Sequence, residues 1–161
     1  MERIEILPDG TIPPVEMTSL GFEEALDPYE ITPADIACVL KGGATIIEKN
    51  VFERVIINIT DGCEIGYKYY DFGDDFTGKN MEFSADIIGC GCDCTVHIFT
   101  DDEEIGYFDV GRNGGIITCP VKCVTGRHAV YLKVSSPYSG WTGEYFKARD
   151  LFNIRSFVFM K

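Results

Sequence analysis

Apolar and polar residues alternate with a period of two along most of the chain beyond residue 61. Met81, Phe83, Ala85 and Ile87 interleave with Glu82, Ser84 and Asp86, which predicts a strand with one face buried and the other wet. Cys94 to Thr100 and Ile105 to Val110 are separated by Asp101-Asp102-Glu103-Glu104 and read as a hairpin. Glu64 to Phe72 ends at Gly73-Asp74-Asp75, and Ile116 to Val124 follows Asn113-Gly114-Gly115. In Ala129 to Ser135, the side chains of Val130, Leu132 and Val134 share a face, and a last strand runs from about Leu151 to Met160. Short strands at this spacing predict an all-β fold, a β-sandwich or jelly roll of antiparallel strands. Helical apolar spacing between caps is missing; Thr32-Pro33-Ala34-Asp35-Ile36 can start one short turn.

Two segments depart from this pattern. Residues 1–30 carry Pro8, Pro13, Pro14 and Pro28 without regular alternation, so they are expected to form a lead-in to a domain covering residues 31–161. Ser135 to Asp150 is a long irregular stretch containing Pro137, Tyr138, Gly140, Trp141, Gly143 and Tyr145. Loops of this length within a compact domain are often functional. The 161 residues suffice for one domain with a real core and leave no room for a second.

Charge narrows the partners. Fourteen basic against 26 acidic residues give a net charge of −12, which repels phosphate backbones and anionic headgroups. No nucleic-acid or membrane partner is expected, and a neutral glycan remains open. The chain has no run of 18 apolar residues, and its first ten residues lack the basic-then-apolar order of a signal peptide. Seven cysteines cannot all pair within one chain, which suggests a reducing compartment or an anaerobic source. Read as strand, Cys90, Cys92 and Cys94 fall on one face with Val96 and Ile98 and are expected in the core, not around zinc. His97 and His128 have no metal partner at useful spacing, and no G-x-S-x-G nucleophile motif occurs. Asp101 and Asp102 are consecutive at a hairpin tip and diverge, so they cannot flank one glycosidic bond.

Several phrases, in order, resemble a known arrangement. Asp9-Gly10-Thr11-Ile12-Pro13-Pro14-Val15-Glu16-Met17-Thr18, then Asp27-Pro28-Tyr29, is similar to the exit from the catalytic propeller of family 43 glycoside hydrolases. Asp61-Gly62-Cys63-Glu64-Ile65, Asp71-Phe72-Gly73, Thr125-Gly126-Arg127-His128-Ala129-Val130-Tyr131-Leu132 and Asp150-Leu151-Phe152-Asn153-Ile154 resemble phrases of the family 6 carbohydrate-binding modules appended to such enzymes. The resemblance implies a non-catalytic jelly roll that holds an upstream glycoside hydrolase, in cis, near plant cell-wall polysaccharide of the xylan or arabinoxylan type. It also implies a sugar site made by two aromatic rings and an Asn. Asn153 matches the Asn, but Glu64 and Ile116 stand where the rings are expected. The family's structural calcium draws on carboxylates that are here replaced by Pro33-Ala34-Asp35 and by Arg155, so no metal or other cofactor is expected, with Asp35 as a possible remnant.

The candidate carbohydrate-binding set is therefore a relocated platform: Trp141 with Tyr138 or Tyr145, and Asn153 and Glu64 as polar contacts. Tyr67, Tyr69 and Tyr131 are a second candidate, lining the concave face of a sheet. The alternative function is a degenerate module that acts as a structural or interaction domain of the hydrolase, without sugar affinity.

Overall fold

A computed structural model describes residues 4–78 and 80–161. Two antiparallel sheets face each other. The first runs in the order β2 (Val39–Lys41), β5 (Glu64–Asp71), β10 (Arg127–Ser135), β7 (Cys94–Thr100) and β8 (Glu103–Val110). The second runs β3 (Thr45–Asn50), β4 (Glu53–Ile59), β11 (Phe152–Met160), β6 (Met81–Gly89) and β9 (Gly114–Val121). A two-residue strand, β1 (Thr32–Pro33), joins β11 at Ser156 and Phe157, on the stretch of that edge that β4 leaves open. The expected all-β sandwich is thus found, with β1, β2, β3 and β4 added to the predicted strands.

Alternation builds the core. Val96 and Ile98 of β7, Phe83 and Ala85 of β6, and Phe157 and Phe159 of β11 all point between the sheets and are buried. Phe157 is the hub: its ring lies 4.8 Å from Tyr67 at 71° and 5.2 Å from Phe83 at 27°. The buried phenols keep partners, with Tyr67 Oη donating to Ala34 O at 3.1 Å and Tyr70 Oη to Thr32 Oγ1 at 2.9 Å. The first of these ties the core to the predicted short turn, a 3₁₀ segment at Ala34–Ile36.

Two expectations are corrected by strand geometry. Cys90 lies beyond the end of β6 and is exposed; only Cys92 and Cys94 are buried. The C-x-C-x-C run crosses the link between β6 and β7, so it never has a single strand's parity. Burial pushes the Cys94 thiol up to about 12 and that of Cys119 up to about 11, which keeps both neutral. The second correction concerns the tyrosines of β5. The pairing with β10 slips between His128 and Val130, and this bulge turns Lys68 and Tyr69 outward together while Tyr67 and Tyr70 face the core. Tyr67 is fully buried and cannot line a surface.

The lead-in is pinned against the sandwich. Leu26 N–H donates to Tyr69 O and its own carbonyl accepts from Asp71 N–H, while Ser19 N–H donates to Lys68 O. Glu16 accepts from both Lys68 Nζ (2.8 Å) and Tyr69 Oη (3.0 Å). Pro28 O then accepts from Phe159 N–H in the other sheet. The remainder of the segment shows Ile4, Ile6, Ile12, Met17 and Phe22 to solvent.

Candidate functional site

Ser135 to Asp150 leaves the end of β10 and returns to the start of β11, and its middle forms a short helix, α1 (Gly140–Phe146). Sequence patterning missed this helix because none of its residues is buried. Gly140 enters it at φ +57°, a value that suits glycine, and Gly143 N–H and Thr142 Oγ1 both donate to Ser139 O. Two anchors hold the loop to the sandwich. Ser136 N–H donates to Asp61 at 2.7 Å, and Tyr138 Oη accepts from Asp93 N–H at 3.0 Å.

These contacts separate the three candidate aromatics. Tyr138 stacks on Phe146 at 4.0 Å and 15°, so one face of its ring is spent on anchoring the loop. Trp141 and Tyr145 are one helical turn apart, and Tyr145 meets the anchoring Phe146 ring edge to face at 5.1 Å. The Trp141 and Tyr145 rings lie 6.1 Å apart and within 18° of parallel, and are 81% and 55% exposed. The Arg149 guanidinium covers the Tyr145 ring at 4.5 Å and donates to its hydroxyl at 2.6 Å. The result is an oriented aromatic strip in water.

The polar candidates do not join the strip or each other. Glu64 points outward from the first sheet, between Lys41 (2.7 Å) and Lys133 (3.8 Å). Asn153 points outward from the second sheet, its neighbour Ile154 being in the core. Its amide nitrogen donates to Asp150 Oδ2 at 2.8 Å, and Cys90 Sγ lies 3.8 Å from the amide. Asp150 also accepts from Ile59 N–H, and burial raises its carboxyl above the usual range. Asn153 is therefore committed to bracing the return of the loop. Glu64 and Asn153 thus stand on different sheets, each with its own polar partners. Ile116 stands 79% exposed at the start of β9 and offers no ring.

Glu64 belongs instead to a groove of about 430 Å³ on the outer face of the first sheet, with Lys41, Lys68, Tyr69, Tyr131 and Lys133. Tyr131 lies flat across Gly66, where a Cβ would come within 2.6 Å of the ring. Tyr69 is less free, its hydroxyl held by Glu16 and its ring covered by Arg127 at 5.0 Å. On the same face, His97 bridges Glu104 (2.9 Å at Nδ1) and Ser135 (3.1 Å at Nε2), a relay that residue spacing did not suggest. The N–H after Ser135, where an oxyanion donor would be sought, is spent on Asp61.

Charges elsewhere are also internally matched. Arg155 donates to Glu53 (2.8 Å) and Asp86 (3.2 Å), bridging β11 to β4 and β6, and Arg54 lies 3.6 Å from Asp35. The guanidinium holds the Glu53 carboxyl below its ordinary value. At the β7–β8 hairpin, Asp101 accepts from Ala129 N–H at 3.0 Å and contacts His128 Nδ1 at 2.6 Å. The Asp101 hydrogen bond raises the His128 pKa. Its stabilising contribution is full below the unfolded value near 6.5 and is lost as pH rises through the higher folded value. With both groups part-exposed, the loss is about 1 kcal/mol or less. Unfolding titrations at pH 5.5 and 8.5 are expected to differ by this amount, and His128→Gln is expected to flatten the difference.

No protein-family model matches the chain. A xylosidase/arabinosidase of Thermoclostridium stercorarium is 36% identical over an alignment of 93 residues that covers 44% of this chain and 20% of that protein. The match thus spans about a fifth of the relative's length. Among solved structures, a family 6 carbohydrate-binding module from Clostridium cellulolyticum in complex with xylose superimposes with a TM-score of 0.68 at 21% identity, over 84% of this chain and all of that one. The fold is that of the family 6 carbohydrate-binding modules. A family 43 arabinoxylan arabinofuranohydrolase from Bacillus subtilis, in complex with cellotetraose, aligns with a TM-score of 0.69 at 21% identity over 99% of this chain and 33% of its own. The rings of the family's pattern are absent at Glu64 and Ile116, and exposed aromatic surface is found on α1 instead.

Proposed function

We propose that the chain is a non-catalytic carbohydrate-binding module that holds an attached family 43 glycoside hydrolase near xylan-type polysaccharide, with Trp141 and Tyr145 as its sugar platform. The observation that carries this reading is the parallel, exposed Trp141–Tyr145 pair on a fold shared with a module solved in complex with xylose. The C–H face of a pyranose packs on such rings while its hydroxyl edge reaches polar groups, and Arg149 beside Tyr145 supplies donors. Binding of this kind needs no net charge, in keeping with a chain of −12.

The lead-in supports attachment in cis. An isolated module aligns over 84% of the chain, whereas the hydrolase-bearing structure aligns over 99%, and the gain is close to the length of residues 1–26. The apolar side chains that this segment holds in water suit a covering domain. Calorimetric titration with xylo-, arabino- and cello-oligosaccharides tests the binding. Saturable heat with the xylo series is expected; none at millimolar ligand would favour the alternative, a structural domain of the hydrolase without sugar affinity.

The module is also proposed to need no metal, Arg155 serving as the cation between Glu53 and Asp86. Chelation with EDTA is expected to leave the melting temperature unchanged. Arg155→Met is expected to lower it, without rescue by calcium.

A further inference from the structure

We infer that the β3–β4 hairpin tip is a second carbohydrate-binding surface, with Phe52 as its stacking ring. The inference rests on the reading of the chain as a sugar-binding module and extends it to a face far from α1. A two-residue turn between strands ordinarily carries glycine, asparagine or aspartate. Here it carries Val51 and Phe52, 80% and 96% exposed. The turn is held in shape: Phe52 N–H donates to Asn50 Oδ1 at 2.9 Å, and Asn50 Nδ2 reaches Glu53 at 3.4 Å. A large apolar ring is thus presented to water on a fixed support.

Behind the ring lies a cleft of about 540 Å³ whose walls include Ile31, Phe52, Asp35, Arg54, Asp86 and Arg155. Ile31, 72% exposed, adds a second apolar edge. Guanidinium and carboxylate groups alternate on the polar side, so donors and acceptors are both at hand for adjacent hydroxyls. Arg54 is held loosely, 3.6 Å from Asp35 and 3.4 Å from Glu48, and can turn to a ligand. Opposite charges nearly cancel within the cleft, which fits an uncharged polyol better than an ion. An aromatic face beside paired donors and acceptors is the chemistry that recognises a neutral pyranose.

Position gives the surface its consequence. β4 runs seven residues from this tip to Ile59, whose N–H is held by Asp150 where the α1 loop returns. The two aromatic surfaces therefore lie at opposite ends of the sandwich, about 20 Å apart along the strand. Sugar binding at both would let one module bridge two glycan chains.

The test is titration of the ¹⁵N-labelled chain with xylohexaose and with cellohexaose, following backbone amides. Saturable shifts at Asn50, Phe52 and Arg54 are expected with one of them, retained in Trp141→Ala and weakened about ten-fold or more in Phe52→Ala. Shifts confined to α1 would overturn this inference and leave the proposed function standing. No shifts anywhere would overturn both. Self-association without sugar that Phe52→Ala abolishes would also overturn it, by assigning the tip to a second copy of the chain.

Discussion

Replacing Phe157 by alanine is expected to destabilise the sandwich by about 3–5 kcal/mol, the largest loss anticipated for a single substitution in this chain. Phe157 is 2% exposed and its ring touches both sheets: Tyr67 and Tyr70 from β5, Phe83 from β6 and Phe159 from its own strand. Removing it opens a cavity between rings that cannot close in, because each neighbour is fixed by a second contact. Tyr67 is hydrogen-bonded to Ala34, Tyr70 to Thr32, and Phe83 stacks on Phe108. Phe157→Leu retains most of the volume and is expected to cost less than half as much. Urea unfolding checks both: the midpoint should fall in the order Leu then Ala, with an unchanged slope. A loss below about 1 kcal/mol for alanine would mean that the rings repack around the gap, and would remove Phe157 as the hub.

The same parity that places Phe157 explains how much of the fold could be read in advance. Strands with clean alternation, such as Met81–Gly89 and Cys94–Thr100, were predicted because every second residue meets the core. β3 and β4 were not, since Val55-Ile56-Ile57 is a continuous apolar run without alternation, and β3 is an edge strand with no buried residue. The bulge in β5 is invisible to a period-two reading. It moves Tyr67 from an expected surface to the core by changing which residues share a face. For the candidate site, composition singles out the loop holding the single Trp, but its internal arrangement depends on contacts distant in sequence. Tyr138 is claimed by Asp93, 45 residues away, and by Phe146, leaving Trp141 and Tyr145 as the pair. Glu64 and Asn153 were brought forward by matching phrases at two strand starts. The partners each then finds, Lys41 and Lys133 for Glu64 and Asp150 for Asn153, are contacts that no linear phrase encodes.

Trp141→Ala is expected to reduce xylo-oligosaccharide affinity about ten-fold or more while leaving the melting temperature unchanged. The two halves follow from one number: the indole is 81% exposed, so it contributes little packing to the folded state and nearly its whole face to a ligand. Covering about 55 Å² of that face with the apolar side of a sugar would remove roughly 1.4 kcal/mol on truncation, the equivalent of a factor of ten. Tyr145→Ala is expected to act in the same direction but less, since Arg149 already covers part of its ring. Tyr138→Ala provides the contrast: loss of the Phe146 stack and of the Asp93 hydrogen bond should lower both stability and affinity, because the helix that carries the platform loses its anchor. Calorimetry and thermal melts on the three variants separate a binding surface from a loop that only needs to be folded. Unchanged affinity in Trp141→Ala, alongside measurable binding by the parent chain, would exclude α1 as the platform and return attention to the groove over Gly66, where Tyr131 and Glu64 lie together.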